Sequence, residues 1–514
     1  MSAIENLKIN SANVIQSRSK IDQQDTQSKS IPLRDLPSDL SSVNSNYQNH
    51  HTRSEYDINT SSSNETIQTE VLNSNIENTI DQEEEEEEEE DHQLHPDNYP
   101  DGGLKAYLVI LGSFLGCIVS LGIMNSVGAI QAYVSNNILS SYSESSISWI
   151  FSIYYFLSYA IALISGPIFD KNGSFWLNLG FTIFVFLGLI GIANSQKIYQ
   201  FILGFISLGI GTGIGMVPLI SVVSHYFFYK RGMAVAIAMS GGSVGGLAFP
   251  LLLRKLYSSV GFVWAIRILA FICLGCMILS TLLVKERFRR HSKKSKAMKC
   301  TETIKYENNF KKIKNGFIEF IKIKDRTFVF VLLGGFFSEF SLVLMITYYA
   351  SYAIDKGFNE SNALLLLTIW NATGIAGRCI PGILSDYLGR FNVNVIMVSI
   401  WVLSVLVLLL PFGNNHNVLW AFAAIGGTSS ACILTLLPAC LSQITPTKQL
   451  GQRYGIINFY LSLANLFGVP IAATILDTSY DNLIIFTGVL AVTGASFWTF
   501  SRISIVGTKL NVKV

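Results

Sequence analysis

The sequence predicts an all-α membrane protein with twelve transmembrane helices in two six-helix bundles. Three observations predict it. Of the 514 residues, 50% are hydrophobic and 14% are charged, against roughly 25% charged in soluble domains. From residue 104 onward, a series of mostly apolar runs reaches the ~20 residues that a span requires. A loop pattern, G-x-x-x-D-x-x-G, follows the second run and returns after the eighth, offset by 216 residues.

The segments follow in order. Residues 1–97 hold 6 Lys+Arg and 21 Asp+Glu, a balance of −15, and end in the acidic run from Glu83. The rest holds 31 Lys+Arg and 14 Asp+Glu, a balance of +17. The first segment is rich in Ser, Asn and Gln and lacks apolar periodicity. It cannot bury enough apolar surface to offset its ordering entropy, so it is expected to be a disordered acidic cytoplasmic tail. It opens "MSAIENLKIN", without an apolar core of signal-peptide length, so the first span is expected to act as the insertion signal. The border reads "YPDGG" (99 to 103). Its glycines permit a turn, and Asp101 stands near a helix N-terminus, where the dipole favours negative charge.

The predicted spans are 104–131, 146–168, 174–194, 199–223, 232–253, 262–284, 327–353, 361–384, 391–411, 416–438, 453–476 and 482–505. Lipid offers the backbone no hydrogen bonds, so such runs must be helices. Residues 98–284 form one expected bundle and 327–506 the other. A basic loop, 285–326, carries fifteen Lys+Arg between them, and 507–514 is a short tail. With both termini cytoplasmic, the short inner connections hold Lys171, Lys230, Arg231, Arg390, Lys448 and Arg453, and the outer ones Lys197, Arg254, Lys255 and Lys356. That asymmetry supports the orientation. The repeat pairs Gly166 with Gly382, Asp170 with Asp386 and Gly173 with Gly389, which argues for two similar bundles.

Other classes find little support. The basic residues lie between apolar runs, which suits a membrane body and speaks against nucleic-acid binding. No G-x-x-x-x-G-K-[ST] loop suggests ATP drive. No His or Cys cluster has metal-ligand spacing, and no cofactor or catalytic constellation is expected. Cys273 and Cys276 form a C-x-x-C inside an apolar run, where two packing residues are the ordinary reading.

The loop pattern resembles the signature of the major facilitator superfamily, over about residues 98–506. Three further stretches resemble its monocarboxylate porter family: "PDGGLKAY" at the start of span one, "YFFYKRGMAVAIAMSGGSVGG" into span five, and "GRCIPGILSD" in span eight. The wording of "SSISWIFSIYYFLSYA" and "GFVWAIRILAFICLG" is similar to the fungal Mch branch. That branch is named for its likeness to monocarboxylate permeases and includes a plasma-membrane riboflavin transporter. The resemblance implies the major facilitator fold and solute transport.

Ionisable groups deep in spans are few: Glu339, Arg378 and, less deeply, Arg267. Charge in hydrocarbon is costly, so such groups face partners or a wet cavity. Arg378, placed about 9 Å from the inner end of its span, matches the family's span-eight arginine, which the resemblance assigns to substrate. Its alternative is a structural pair with Glu339. Glu339, about 18 Å deep on the same rise, is a candidate proton carrier or the partner of Arg378. Asn125 stands where monocarboxylate carriers place a lysine, and Gly374 where they place an acid. Asn125 both donates and accepts hydrogen bonds, which suits a larger neutral solute. Tyr155, with Trp149, Phe151, Tyr154, Phe156 and Tyr159, is a stacking or packing aromatic of span two. The resemblance assigns Asp170 and Asp386 to gating, with Lys171 and Arg390 as expected partners and Arg231 beside them.

The expected function is a secondary active or facilitative transporter working by alternating access on a riboflavin-like solute. A proton-coupled monocarboxylate transporter and a non-transporting nutrient sensor are the alternatives; a membrane enzyme is not expected. Expected partners are a small-molecule substrate, a proton and membrane lipid, without nucleic acid, in a monomer. The expected site is the plasma membrane, with the vacuolar membrane second.

Overall fold

The computed structural model describes residues 99–142, 144–287, 325–476, 479–509 and 512–513. The chain divides into residues 1–82 and 83–514, and every described residue lies in the second unit. The expected acidic tail and most of the basic loop fall outside the described residues.

Eleven helical stretches are long and apolar enough to cross a membrane. One of them, Arg231–Leu283, has 53 residues and breaks at Gly261 (φ 76, ψ 172). At ~1.5 Å per residue it would be about 80 Å long, far beyond a ~30 Å hydrocarbon core. It therefore contains spans five and six, and the described chain has twelve. The others are Leu104–Tyr133 (one), Glu144–Ala160 with Ala162–Asn172 (two), Phe175–Ala193 (three), Ile198–Ser221 (four), Arg326–Asp355 (seven), Glu360–Leu388 (eight), Arg390–Leu403 continued to Phe412 (nine), His416–Leu441 (ten), Leu450–Leu476 (eleven) and Tyr480–Val506 (twelve).

Two ends differ from the sequence reading in a way that matters. Span two continues past 168 to Asn172, and span eight past 384 to Leu388. Asp170 and Asp386 therefore sit on the last turns of helices. Each helix stops at a left-handed glycine, Gly173 (φ 82) and Gly389 (φ 97). Their N–H groups close the final turns on Phe169 O and Ser385 O, both at 2.9 Å. L-residues resist this conformation and glycine does not.

Spans one to six pack as one lobe and seven to twelve as the other. Within the first, span one lies against span five through small residues: a Cβ on Gly122 would come within 2.7 Å of Gly245 Cα. In the second, Trp401 and Trp498 are fully buried, and Trp401 Nε1 donates to Ser341 Oγ at 2.9 Å. The lobes meet chiefly where span two packs on span eleven and span five on span eight. Glycines lie at both seams: a Cβ on Gly166 would strike Gly451 O, and one on Gly382 would strike Ala236 Cβ. Outward-facing side chains are large and apolar, among them Trp176 and Leu282. Such a surface suits lipid rather than water. Cys273 is buried, Cys276 half-buried, and both are free.

Candidate functional site

The face where the chain enters at Tyr99 is called the near face. Glu339 lies thirteen residues from the start of span seven at Arg326, about 20 Å along the helix. Arg378 lies ten residues from the end of span eight at Leu388, about 15 Å. It is thus deeper than the 9 Å expected from sequence. Both are buried, at 4% and 7% exposure.

They do not pair with each other; among the described residues no ion pair within 4.0 Å joins them. Each instead reaches across to the first lobe. Glu339 Oε1 accepts from Tyr159 Oη at 3.2 Å and from Asn465 Nδ2 of span eleven at 3.3 Å. Its other oxygen, Oε2, is buried without a hydrogen-bond partner. Arg378 Nε donates to Ser243 Oγ of span five at 3.0 Å, and Nη1 to Thr435 Oγ1 of span ten at 3.2 Å. The pairing of Arg378 with Glu339 is therefore corrected: burial is sustained by hydroxyls and an amide.

The four substrate-site candidates lie along one series of contacts. Tyr155, one turn from Tyr159, donates through Oη to Met124 O at 2.9 Å. The next residue, Asn125, is exposed and donates through Nδ2 to Gly242 O at 3.2 Å. Ser243 follows and leads to Arg378. Spans one, two, five, seven and eight are thus linked by these hydrogen bonds. A cavity of about 280 Å³ is lined by Gly128, Gln131 and Ala132 of span one, Ser135 just past its end and Ser148 of span two, all uncharged.

Gly374 gains an explanation. A Cβ there would lie 3.3 Å from Ser243 Oγ and 3.4 Å from Ala431 Cβ. A side chain at that position would start in close contact with Ser243 and Ala431.

The gating candidates gather at the near face, in two latches. Asp170 accepts from the backbone N–H of Gly451 (2.9 Å) and Gln452 (2.7 Å) at the start of span eleven. Asp386 accepts from those of Gly232 and Met233, both at 2.8 Å, at the start of span five. A carboxylate at a helix N-terminus meets unpaired N–H groups and the positive end of the dipole. Arg390 lies 3.8 Å from Asp386 and donates to Phe228 O at 2.6 Å, as expected of a partner. Lys171 makes no ion pair with Asp170 within 4.0 Å, which corrects that expectation: the partner is the end of span eleven. Arg231 is buried and donates across the lobes to Ser442 O at 2.7 Å.

Asp101 serves a different helix from the one expected. Gly103 caps span one without a side-chain hydrogen bond. Asp101 Oδ1 accepts instead from the N–H groups of Phe228 (2.8 Å), Tyr229 (3.0 Å) and Lys230 (3.2 Å), just before span five. Its φ of 42° is the strained price of that reach. Arg267 turns to the opposite face, where it donates to Asn194 Oδ1 at 2.6 Å. Sequence reasoning passed over Asn465, Ser243 and Thr435 as site residues. Asn465 and Thr435 are single polar residues among apolar ones, and Ser243 lies in the small-residue stretch "SGGSVGG", where its spacing does not mark it as a partner of Arg378.

The comparisons agree with this architecture. The Major Facilitator Superfamily model matches residues 112–410 and 365–508. The chain is 39% identical over 429 residues to the riboflavin transporter MCH5 of Saccharomyces cerevisiae, covering 80% of this chain and 81% of that protein. It is 33% identical over 425 residues to the MFS transporter asaE of Aspergillus flavus, covering 81% and 91%. Among solved structures, the E. coli fucose:proton symporter FucP aligns with a TM-score of 0.60 at 14% identity, over 77% of this chain and 98% of that one. The proton:xylose symporter XylE aligns with a TM-score of 0.57 at 16% identity, over 77% and 96%. At those identities the structures speak for the fold alone. Twelve spans, two lobes sharing a repeated latch, and a family match across both lobes lead to one conclusion: the chain belongs to the Major Facilitator Superfamily of transporters.

Proposed function

We propose that this transporter carries a riboflavin-like solute by alternating access, with the near face cytoplasmic and the protein working as a monomer in the plasma membrane. The observation that carries the reading is the chemistry of the centre. Asn125, Tyr155 and Tyr159 present uncharged hydrogen-bonding groups and aromatic faces, and Asn125 stands where a short-acid carrier would place its lysine. The likeness to the yeast riboflavin transporter supports the same solute class. Asp170 and Asp386 act as gates, with Arg231 and Arg390 holding the near side shut. Their loss of contact with spans eleven and five would open that side. Glu339 is the group that would carry a coupled proton.

Uptake by the purified protein in liposomes tests the reading. Riboflavin should accumulate and should be displaced by unlabelled riboflavin, but not by lactate or pyruvate. Uptake of lactate with exclusion of riboflavin would reverse the assignment. Under an inward acid gradient, the variant Glu339→Gln should lose any gradient-driven acceleration while sparing exchange.

A further inference from the structure

Residues 99–103 lead the chain into span one, yet their side chains hold two other helices. The Asp101 carboxylate caps the turn before span five, and Asp101 N donates to Tyr226 O at 3.1 Å. Two residues earlier, Tyr99 is 7% exposed. Its Oη shares a hydrogen bond with Thr447 Oγ1 at 2.8 Å. Thr447 opens the turn Thr447–Gln449, which runs straight into span eleven at Leu450. The Tyr99 ring lies 5.4 Å from that of Phe228. The Arg231 guanidinium stands 5.4 Å from the centre of the Tyr99 ring, and its Nη1 reaches Ser442 O of the second lobe.

The entry segment is thus fixed to the first lobe at the start of span five and to the second lobe at the start of span eleven. Those are the two helix starts that receive Asp386 and Asp170. Only Pro100 separates the two anchors, and its ring fixes φ, so the link has little slack. Parting the lobes at the near face has to break the bond between Tyr99 and Thr447 together with the capping bonds, and a buried hydroxyl left unpaired is costly. We infer that Tyr99 is a gating residue, a cross-lobe clasp that ties the two latches so that they open together. Asp101 is its positioning residue, because three backbone N–H groups fix the stretch from which Tyr99 projects. The inference rests on the reading of Asp170 and Asp386 as gates, and adds what couples them.

The test is backbone hydrogen–deuterium exchange of the purified full chain, without solute. Tyr99→Phe removes only the hydroxyl and keeps the ring beside Phe228 and Arg231. Amides at the latches exchange when the near side opens, so those of 228–233 and 447–452 should exchange at least about threefold faster in the variant. The helix starts on the opposite face, at Ile198 of span four and His416 of span ten, should exchange as in the wild type. Thr447→Val, which removes the other half of the same bond, should give the same pattern, and the double variant should add little to either, because both remove one interaction. Unchanged exchange at both latches overturns the clasp. Faster exchange at 447–452 alone overturns the coupling, and an equal acceleration on the opposite face makes Tyr99 a residue of general stability and overturns it too. The gate reading fails separately: if Asp386→Asn leaves solute exchange at the wild-type rate while Tyr99→Phe frees both latches, the clasp stands and the gates do not.

Discussion

The two near-face latches share a plan and differ in charge. In each, an aspartate on the last turn of one lobe's helix caps the first turn of a helix in the other lobe: Asp170 on span eleven, Asp386 on span five. Around Asp386 the second layer is cationic. Arg390 approaches it at 3.8 Å and ties back to Phe228 O, while Arg231 crosses to Ser442 O. Among the described residues, Asp170 makes no ion pair within 4.0 Å. The position matching Arg390 by the 216-residue repeat is Ser174, which donates to Glu286 Oε2 at 2.6 Å. The repeat thus preserves the backbone capping, and each lobe adds its own side chains. Capping is the shared mechanical element, and the arginines are an addition to one side.

The largest effect should come from removing the charge of the richer latch. Asp386→Asn weakens two charge-assisted hydrogen bonds, each of the class worth about 1.5–3 kcal/mol, and leaves Arg390 without its acid. Solute exchange should slow tenfold or more while solute affinity changes less than about threefold, since tenfold corresponds to ~1.4 kcal/mol. Asp170→Asn should follow the same pattern with a smaller loss. A large fall in affinity with normal turnover would place these residues in the binding site instead.

An intermediate effect should come from Arg390→Gln. It leaves the capping bonds of Asp386 in place and removes the cationic layer, so the richer latch comes to resemble the plainer one. Exchange should slow by about threefold, the equivalent of ~0.6 kcal/mol. Adding Arg390→Gln to Asp386→Asn should then cost little more, because partners in one network are not additive. Full additivity would show that Arg390 acts apart from the latch.

The smallest effect belongs to the pair beside the plainer latch. Arg453 meets Asp325 at 3.1 Å, with side chains 26% and 36% exposed. Pairs of that exposure contribute roughly 0–1 kcal/mol. Arg453→Gln should lower thermal stability by no more than that and leave exchange unchanged. Asp325→Ala should cost more, because Asp325 also caps span seven through Thr327 N and Phe328 N and a lost cap costs ~1 kcal/mol.

The number of spans, the division into two lobes and the depth of Glu339 were legible in the sequence; the depth of Arg378 was not, because its helix runs on to Leu388. Hydropathy acts locally, and an apolar run long enough to cross lipid has to be a helix. The twofold pattern was legible because the repeated loops stand at equal spacing. Tertiary structure decided the partners. It placed Asp101 on the turn before span five, 127 to 129 residues away, and Asp170 on the start of span eleven. It set Glu339 with Tyr159 and Asn465, and Arg378 with Ser243 and Thr435, keeping the two charges apart. Those contacts depend on how helices distant in sequence dock through small residues, and residue order along one helix carries little information about the face of another.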